Sequence, residues 1–302
     1  MKSQCPDVLY SFPHPFDRYP LRVAKELDVP FIIEMWEDYA QFGAVSLKAM
    51  GLPDPSIVSH TNRAYRWMAD IAGGADSVIV PTAAFLKRLC ELGIERSKIR
   101  VVPVCVPPSS KSDCGYMRRK HNMKPDEKMV FHVGSASPWH DLATLFRSLR
   151  YIKSKILVVI SGGIPDLSIP IQDFQNVRVT FTGRVTPAEL NGYLSAADIC
   201  VAPYHFHRPS GFFPAKVIRY MLAGKAIVVT DLLEIREMFK GKSAGILVPQ
   251  RNPRAFGEAI EHLAKNDEKR SRMGTIAKEI AETSYLTRHH TDHLMKLFKE
   301  IS

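Results

Sequence analysis

The chain has 302 residues, of which 45% are hydrophobic and 24% charged. That is apolar enough for a full core and long enough that two domains are expected, and it excludes wholesale disorder. The formal net charge is +10 and uneven: residues 1–112 hold 13 basic and 12 acidic side chains, whereas residues 113–302 hold 28 and 19. No apolar run approaches the roughly 20 residues of a membrane helix. Met1–Pro6 shows no secretory apolar region, and five scattered cysteines without a CxxC pair argue against a disulfide framework or zinc ribbon and for a reducing compartment.

In chain order, strands are expected at Asp7–Ser11, Pro30–Glu34, Ser77–Val80 and Ile99–Pro103, and helices at Leu21–Leu27, Thr61–Ala72 and Ala83–Leu92. Asp54–His60 reads as a loop, and the Pro-, Ser- and Lys-rich stretch Pro107–Pro125 as an interdomain crossing. The second half alternates short apolar runs with helical stripes. The runs are Val130–Val133, Ile156–Ile160, Val177–Phe181, Ile199–Ala202, Ala226–Val229 and Ile246–Val248. They are short, continuous and rich in β-branched residues, as suits strands buried on both faces of a parallel sheet. Leu142, Leu145, Phe146 and Leu149 form one stripe, and Phe256, Ala259, Ile260, Leu263 and Ala264 another. Thr186-Pro187 with Glu189 signs a capped helix start, Asn252-Pro253 signs a second, and Leu294, Leu297, Phe298 and Ile301 give a final helix over about 288–301 a docking face. This rhythm predicts doubly wound α/β architecture.

Two stretches carry candidate chemistry. After the strand ending at Val133, Gly134 and Ser135 lead into a helix near Asp141, which places backbone N–H groups where an anion binds or makes a plain tight turn. After Ile199–Ala202, the run Pro203–Gly211 and then Phe212–Lys216 crowds polar, aromatic and glycine residues at the carboxyl end of a parallel strand, the place where open α/β sheets bind ligands. Lys216 lies in a first helical turn, where the macrodipole disfavours a cation, so it either neutralises a bound anion or reaches solvent. The basic second half points to a polyanion or to a solvated basic surface. It lacks the basic stripe interleaved with aromatics of a nucleic-acid binder, so no nucleic-acid partner is expected. His205 and His207, and His290 with His293, lack the partners of a metal site, and no GxSxG, Walker or HExxH pattern occurs.

At Phe213-Pro214-Ala215-Lys216, continuing through Tyr220-Met221 and Gly224-Lys225, the sequence resembles the family 4 (group 1) glycosyltransferases. Further matches are the turn Gly134–Asp141, then Phe181–Val185, Ala196–Pro203, Leu233–Glu237 and Gly245–Pro249, and in the first half Pro6–Phe16, Phe31–Asp38 and Lys98–Pro103. The first-half blocks resemble members that build surface polysaccharide.

The resemblance implies a GT-B-like α/β fold of two Rossmann-like, doubly wound parallel-sheet domains, the N-terminal one lacking its leading strands. The expected division is a partial acceptor-side domain over 1–112, a linker over 113–128, a nucleotide-sugar domain over 129–285 and a crossing helix over 286–302. The implied function is transfer of a sugar from a nucleotide-diphosphate sugar to a glycan or lipid-linked acceptor, with retention and with neither metal nor cofactor. Gly134, Ser135, His140, Pro214, Ala215 and Lys216 would hold the diphosphate. Arg184 would lie near the base, Arg219 at the ribose, and Tyr204, Arg208 and Gly211 around the donor sugar. His14 and Glu37 would face the cleft as catalytic residues. The setting would be cytoplasmic, at the inner membrane face.

The sequence departs from the family at Gly211 and Arg219, which replace an acidic pair, at His140, which replaces a phosphate-binding lysine, and at Val104-Cys105, which replace Asn-Gly. These departures motivate an alternative: a degenerate or truncated GT-B protein serving as a partner subunit, with a second polypeptide completing its N-terminal domain.

Overall fold

The computed structural model describes residues 6–109, 113–135, 139–163, 176–205 and 213–301. In chain order these form β1 (Leu9–Ser11), α1 (Tyr19–Leu27), β2 (Phe31–Glu34), α2 (Tyr39–Ala49), α3 (Asp54–Gly73), β3 (Ser77–Val80), α4 (Ala83–Glu91) and β4 (Ile99–Val101). There follow α5 (Cys114–Lys120), β5 (Lys128–Gly134), α6 (Leu142–Ser148), β6 (Ile156–Gly162), β7 (Val177–Gly183), α7 (Pro187–Ala196), β8 (Ile199–Ala202), α8 (Ala215–Leu222) and β9 (Ala226–Thr230). The last are α9 (Leu233–Phe239), β10 (Ile246–Val248), α10 (Pro253–Ala264), α11 (Asp267–Ser284) and α12 (Thr287–Ile301). One compact unit takes the chain up to Cys105 and returns for Thr287 onward; the other takes most of Val106–Leu286.

The first unit is a parallel sheet in the order β1-β2-β3-β4, with no reversal among the described strands. Strand alternation sorts its two faces. Phe31 and Ile33 of β2, with Val78 and Val80 of β3, pack with Trp67, Met68 and Ile71 of α3 and Phe85 and Leu89 of α4. Ile32 and Ile79 turn to the other face, where Val102 and Leu297 of α12 join them and Leu294, Phe298 and Ile301 pack alongside.

Two segments depart from expectation. Asp54–His60, expected as a loop, forms the first turns of α3. Pro53 caps the helix from outside and Pro55 lies in its first turn, where a proline removes only an N–H that has no intrahelical acceptor. This stretch is mostly exposed, so it lacked the apolar stripe that marks a helix. The unanticipated α2 is capped by buried Asp38, which accepts a hydrogen bond from the Gln41 amide at 3.0 Å.

The second unit is a six-stranded parallel sheet in the order β10-β9-β8-β5-β6-β7. The chain winds outward from β5 through β6 to β7, then returns to the other side of β5 for β8, β9 and β10. That reversal is the expected double winding, and it sets the switch point between β5 and β8. Val130, Val158, Ile160, Val201 and Val228 share a core with Leu145 and Phe146 of α6 and Phe256, Ile260 and Leu263 of α10. Residues 113–128, read from sequence as linker, carry α5. Its Arg118 donates to Asp198 Oδ2 at 2.7 Å and to the Ala196 carbonyl at 2.9 Å, fixing it within this unit.

Candidate anion-binding site at the switch point of the second sheet

β5 and β8 pair only at Val130–Ile199 and Phe131–Cys200, and beyond those residues a crevice opens. Its floor is polar. The buried Tyr220 hydroxyl accepts from the Val133 amide at 3.1 Å and donates to the Val201 carbonyl at 3.3 Å. His132, the one polar side chain in the apolar run of β5, shares that carbonyl through Nδ1 at 3.1 Å. Nδ1 therefore carries the proton, and the buried Nε2 lone pair has no partner among the described residues. Burial, followed by the charges of Lys216 and His140, holds the His132 pKa well below its ordinary value.

Two loops zip together above this floor. His140 pairs with Tyr204 in a single antiparallel bridge, the His205 amide donates to the Trp139 carbonyl at 2.7 Å, and the Asp141 amide donates to the Pro203 carbonyl at 3.2 Å. Asp141 then caps α6 by accepting from the Thr144 amide at 3.0 Å. Across the crevice α8 begins at Ala215 with Pro214 as its cap, so its first-turn amides, which have no intrahelical acceptor, open the helix here.

Lys216 is the second residue of α8, and it does not reach out to solvent. Its Nζ lies 2.9 Å from His140 Nε2 and 5.5 Å from the centre of the Tyr204 ring. The opposite imidazole nitrogen, Nδ1, donates to the Ser135 carbonyl at 2.7 Å, which leaves Nε2 as an acceptor for the amine. Gly134 makes the approach possible, because a Cβ there would stand 2.4 Å from Nζ. Burial pushes the Lys216 pKa down to about 7. Burial and the neighbouring Lys216 charge push His140 down to about 4, against the opposing pull of the Ser135 carbonyl. An amine that titrates near neutrality, two neutral imidazoles and a helix N-terminus thus converge, with no carboxylate acting on the amine among the described residues. Such a setting attracts an anion.

The structure therefore brings together Gly134, Ser135, His140, Tyr204, Pro214, Ala215 and Lys216. Arg219 lies one turn further along α8 and is half-buried. Arg184 stands apart, exposed at the end of edge strand β7. Arg208 and Gly211 lie outside the described residues. Sequence reasoning passed over His132, whose only signal was a polar residue within an apolar strand.

In the first unit, His14 is exposed after β1, with Nδ1 3.3 Å from the Pro15 carbonyl, and Glu37 is half-buried with its pKa raised by burial. The group missed there is Glu34, which ends β2. It accepts from the Tyr10 hydroxyl, from Trp36 Nε1 at 2.5 Å and from His290 Nε2 of α12 at 3.1 Å. Burial alone would raise the Glu34 pKa, but the hydrogen bonds from His290, Tyr10 and Trp36 outweigh it and hold the pKa below the usual value. Among the described residues no group of three or more His, Cys, Asp or Glu is placed to hold a metal ion. No described helix is long and apolar enough to cross a membrane.

Residues 127–266 match the family described as Glycosyl transferases group 1. The D-inositol 3-phosphate glycosyltransferase of Kineococcus radiotolerans is 24% identical over 242 residues, covering 70% of this chain and 54% of that protein. The chain spans about half the length of the curated relatives it matches. Sucrose-phosphate synthase from Thermosynechococcus elongatus superimposes with a TM-score of 0.73 at 18% identity, covering 97% of this chain and 73% of that one. Anabaena HepE in complex with UDP-glucose gives 0.71 at 15% identity, covering 97% of this chain and 79% of that one. At these identities the likeness is one of fold, the two-sheet α/β architecture of the GT-B proteins.

Proposed function

We propose, from the match of residues 127–266 to the family described as Glycosyl transferases group 1, that the chain transfers a sugar from a nucleotide-diphosphate sugar to a glycan or lipid-linked acceptor, with retention at the anomeric carbon. The observation that carries the reading is the Lys216–His140 couple over Gly134 at the mouth of α8. The leaving group of such a reaction is a diphosphate whose negative charge grows as the glycosidic bond breaks. Preorganised amide dipoles and a cation stabilise that charge more in the transition state than in the ground state. Gly134, Ser135, Ala215 and Lys216 take that part, with Tyr204 beside the sugar. His14 and Glu37 are assigned to the reacting centre from the first unit. Glu37 is a half-buried carboxyl whose pKa burial raises, the direction that favours holding and passing a proton.

The test is a thermal-shift panel with UDP-, GDP- and ADP-sugars. A donor at a hundredfold excess over its dissociation constant stabilises the protein by about 2.7 kcal/mol. The expected result is a rise in Tm with one donor that Lys216→Ala abolishes. No shift with any donor removes donor binding.

A second reading, a partner subunit without transfer activity, is favoured by Arg219. The resemblance implies a hydrogen-bond acceptor for ribose hydroxyls there, and a guanidinium only donates. Co-purification with a second polypeptide supports it, and a monomer with measurable transfer overturns it.

A further inference from the structure

We infer that nucleotide-diphosphate-sugar binding by this chain takes up one proton from solvent into the His140–Lys216 couple, so that donor affinity is governed by pH in the neutral range. The inference rests on the donor reading above and deepens it.

The geometry sets up the linkage. His140 Nδ1 is committed to the Ser135 carbonyl, so Nε2 can only accept, and it accepts from the Lys216 amine at 2.9 Å. The amine lies over Gly134 and against the Tyr204 ring. Among the described residues, the titratable groups around it are His132 from β5, His140 from the turn after β5, Tyr204 from the loop after β8 and Tyr220 from α8 itself. None of these carries a negative charge at neutral pH. With no carboxylate among the described residues to hold its proton, the amine of the unliganded protein loses it near neutrality.

A diphosphate arriving at the mouth of α8 supplies the missing counter-charge, and an opposite charge at contact distance raises the amine pKa. The neutral amine then takes one proton from the buffer and becomes an ammonium, with no other bond made or broken. His132 does not compete for that proton, because its enclosure and the two neighbouring groups keep it neutral. At the position where the family resemblance implies a lysine, His140 offers a neutral imidazole, so among the described residues touching the amine no second cation stands ready for the diphosphate.

The sign follows from linkage. The bound state holds more protons than the free state above about pH 7, so affinity is full below that value and falls as pH rises through it. One linked proton predicts a dissociation constant about tenfold weaker at pH 8 than at pH 6.

The experiment is calorimetric titration of the full chain with UDP-glucose, GDP-mannose and ADP-glucose at pH 6, 7 and 8. Each titration is run in two buffers of different ionisation heat. These sugars are chosen because their diphosphates have no ionisation of their own in this range. The expected result is an observed heat that depends on the buffer at pH 8 and not at pH 6, together with the tenfold loss of affinity. Lys216→Arg, whose guanidinium stays charged, is expected to flatten the profile. Should arginine not fit over Gly134, the buffer dependence of the unmodified chain decides alone. Binding with a flat profile and equal heats overturns the inference and leaves the donor reading standing. Binding of none of the sugars overturns the donor reading, and this inference with it.

Discussion

Glu34 has 2% of its side chain exposed and still stays ionised, because Tyr10, Trp36 and His290 all donate to it. The hydrogen bond to Glu34 raises the His290 pKa against the opposing effect of burial. A group whose folded pKa is raised stabilises the fold below its unfolded value and loses that contribution as pH rises through the folded one. A lowered carboxylate contributes above its unfolded value and loses it as pH falls through the folded one. The hold on α12 is therefore strongest between the ordinary Glu and His values, 4.5 and 6.5. Tm is expected to fall between pH 6 and pH 8, a fall that His290→Gln should largely remove, as measured by thermal melts across that range. His290→Ala should cost about 1–3 kcal/mol by chemical denaturation at pH 6. In the second unit, Gly134→Ala would place a methyl group 2.4 Å from Lys216 Nζ. Far-ultraviolet dichroism should be unchanged while donor binding weakens, because the displaced atom is the end of a flexible side chain.

Strand runs and capped helix starts were legible at the scale of elements because their signals are local. The six apolar runs of the second half each became a strand, with ends extended by a residue or two at β5, β6, β7 and β9. The Thr186–Glu189 capping box and the Asn252 cap formed as read. α2 was not legible because its one strong local signal is the cap Asp38, and only one of its own residues, Ala40, is buried. The same kind of cap opens α4, where buried Thr82 accepts from the Phe85 amide at 3.1 Å. Thr82→Ala should cost about 1 kcal/mol in urea melts. The carboxyl ends of β5 and β6 also depend on a glycine. Gly162 has φ 112°, and a Cβ there would meet the Gly134 carbonyl oxygen at 1.9 Å. Gly162→Ala is expected to destabilise the fold by about 1–3 kcal/mol and to disturb the anion site through Gly134. Paired denaturation and donor-binding measurements check both effects.

Each unit of the whole molecule has its own core, and the first draws part of its core from the far end of the chain. α12 is the cover for Ile32, Ile79 and Val102. A chain ending before Thr287 should therefore expose that face, and its first unit should unfold or bind an apolar dye at lower temperature. The second unit, whose main core cluster runs from Val130 to Met273 and takes no residue from α12, should keep its own transition. Calorimetry of the shortened chain checks this by the loss of one transition and the survival of the other.

The sequence by itself determined the alternation of strands and helices, the parallel character of the second sheet, the pile-up of glycine, aromatic and basic residues after two strands, and the departures at His140 and Arg219. All of these are short-range patterns of apolarity, turn chemistry and residue type. Tertiary structure alone decided that β5 and β8 part beyond Phe131 and Cys200, that Lys216 folds back onto His140 instead of reaching solvent, and that Glu34 meets a histidine 256 positions away. The protonation of those groups depends on which atoms surround them, and residues far apart in the chain become neighbours only once both sheets have closed.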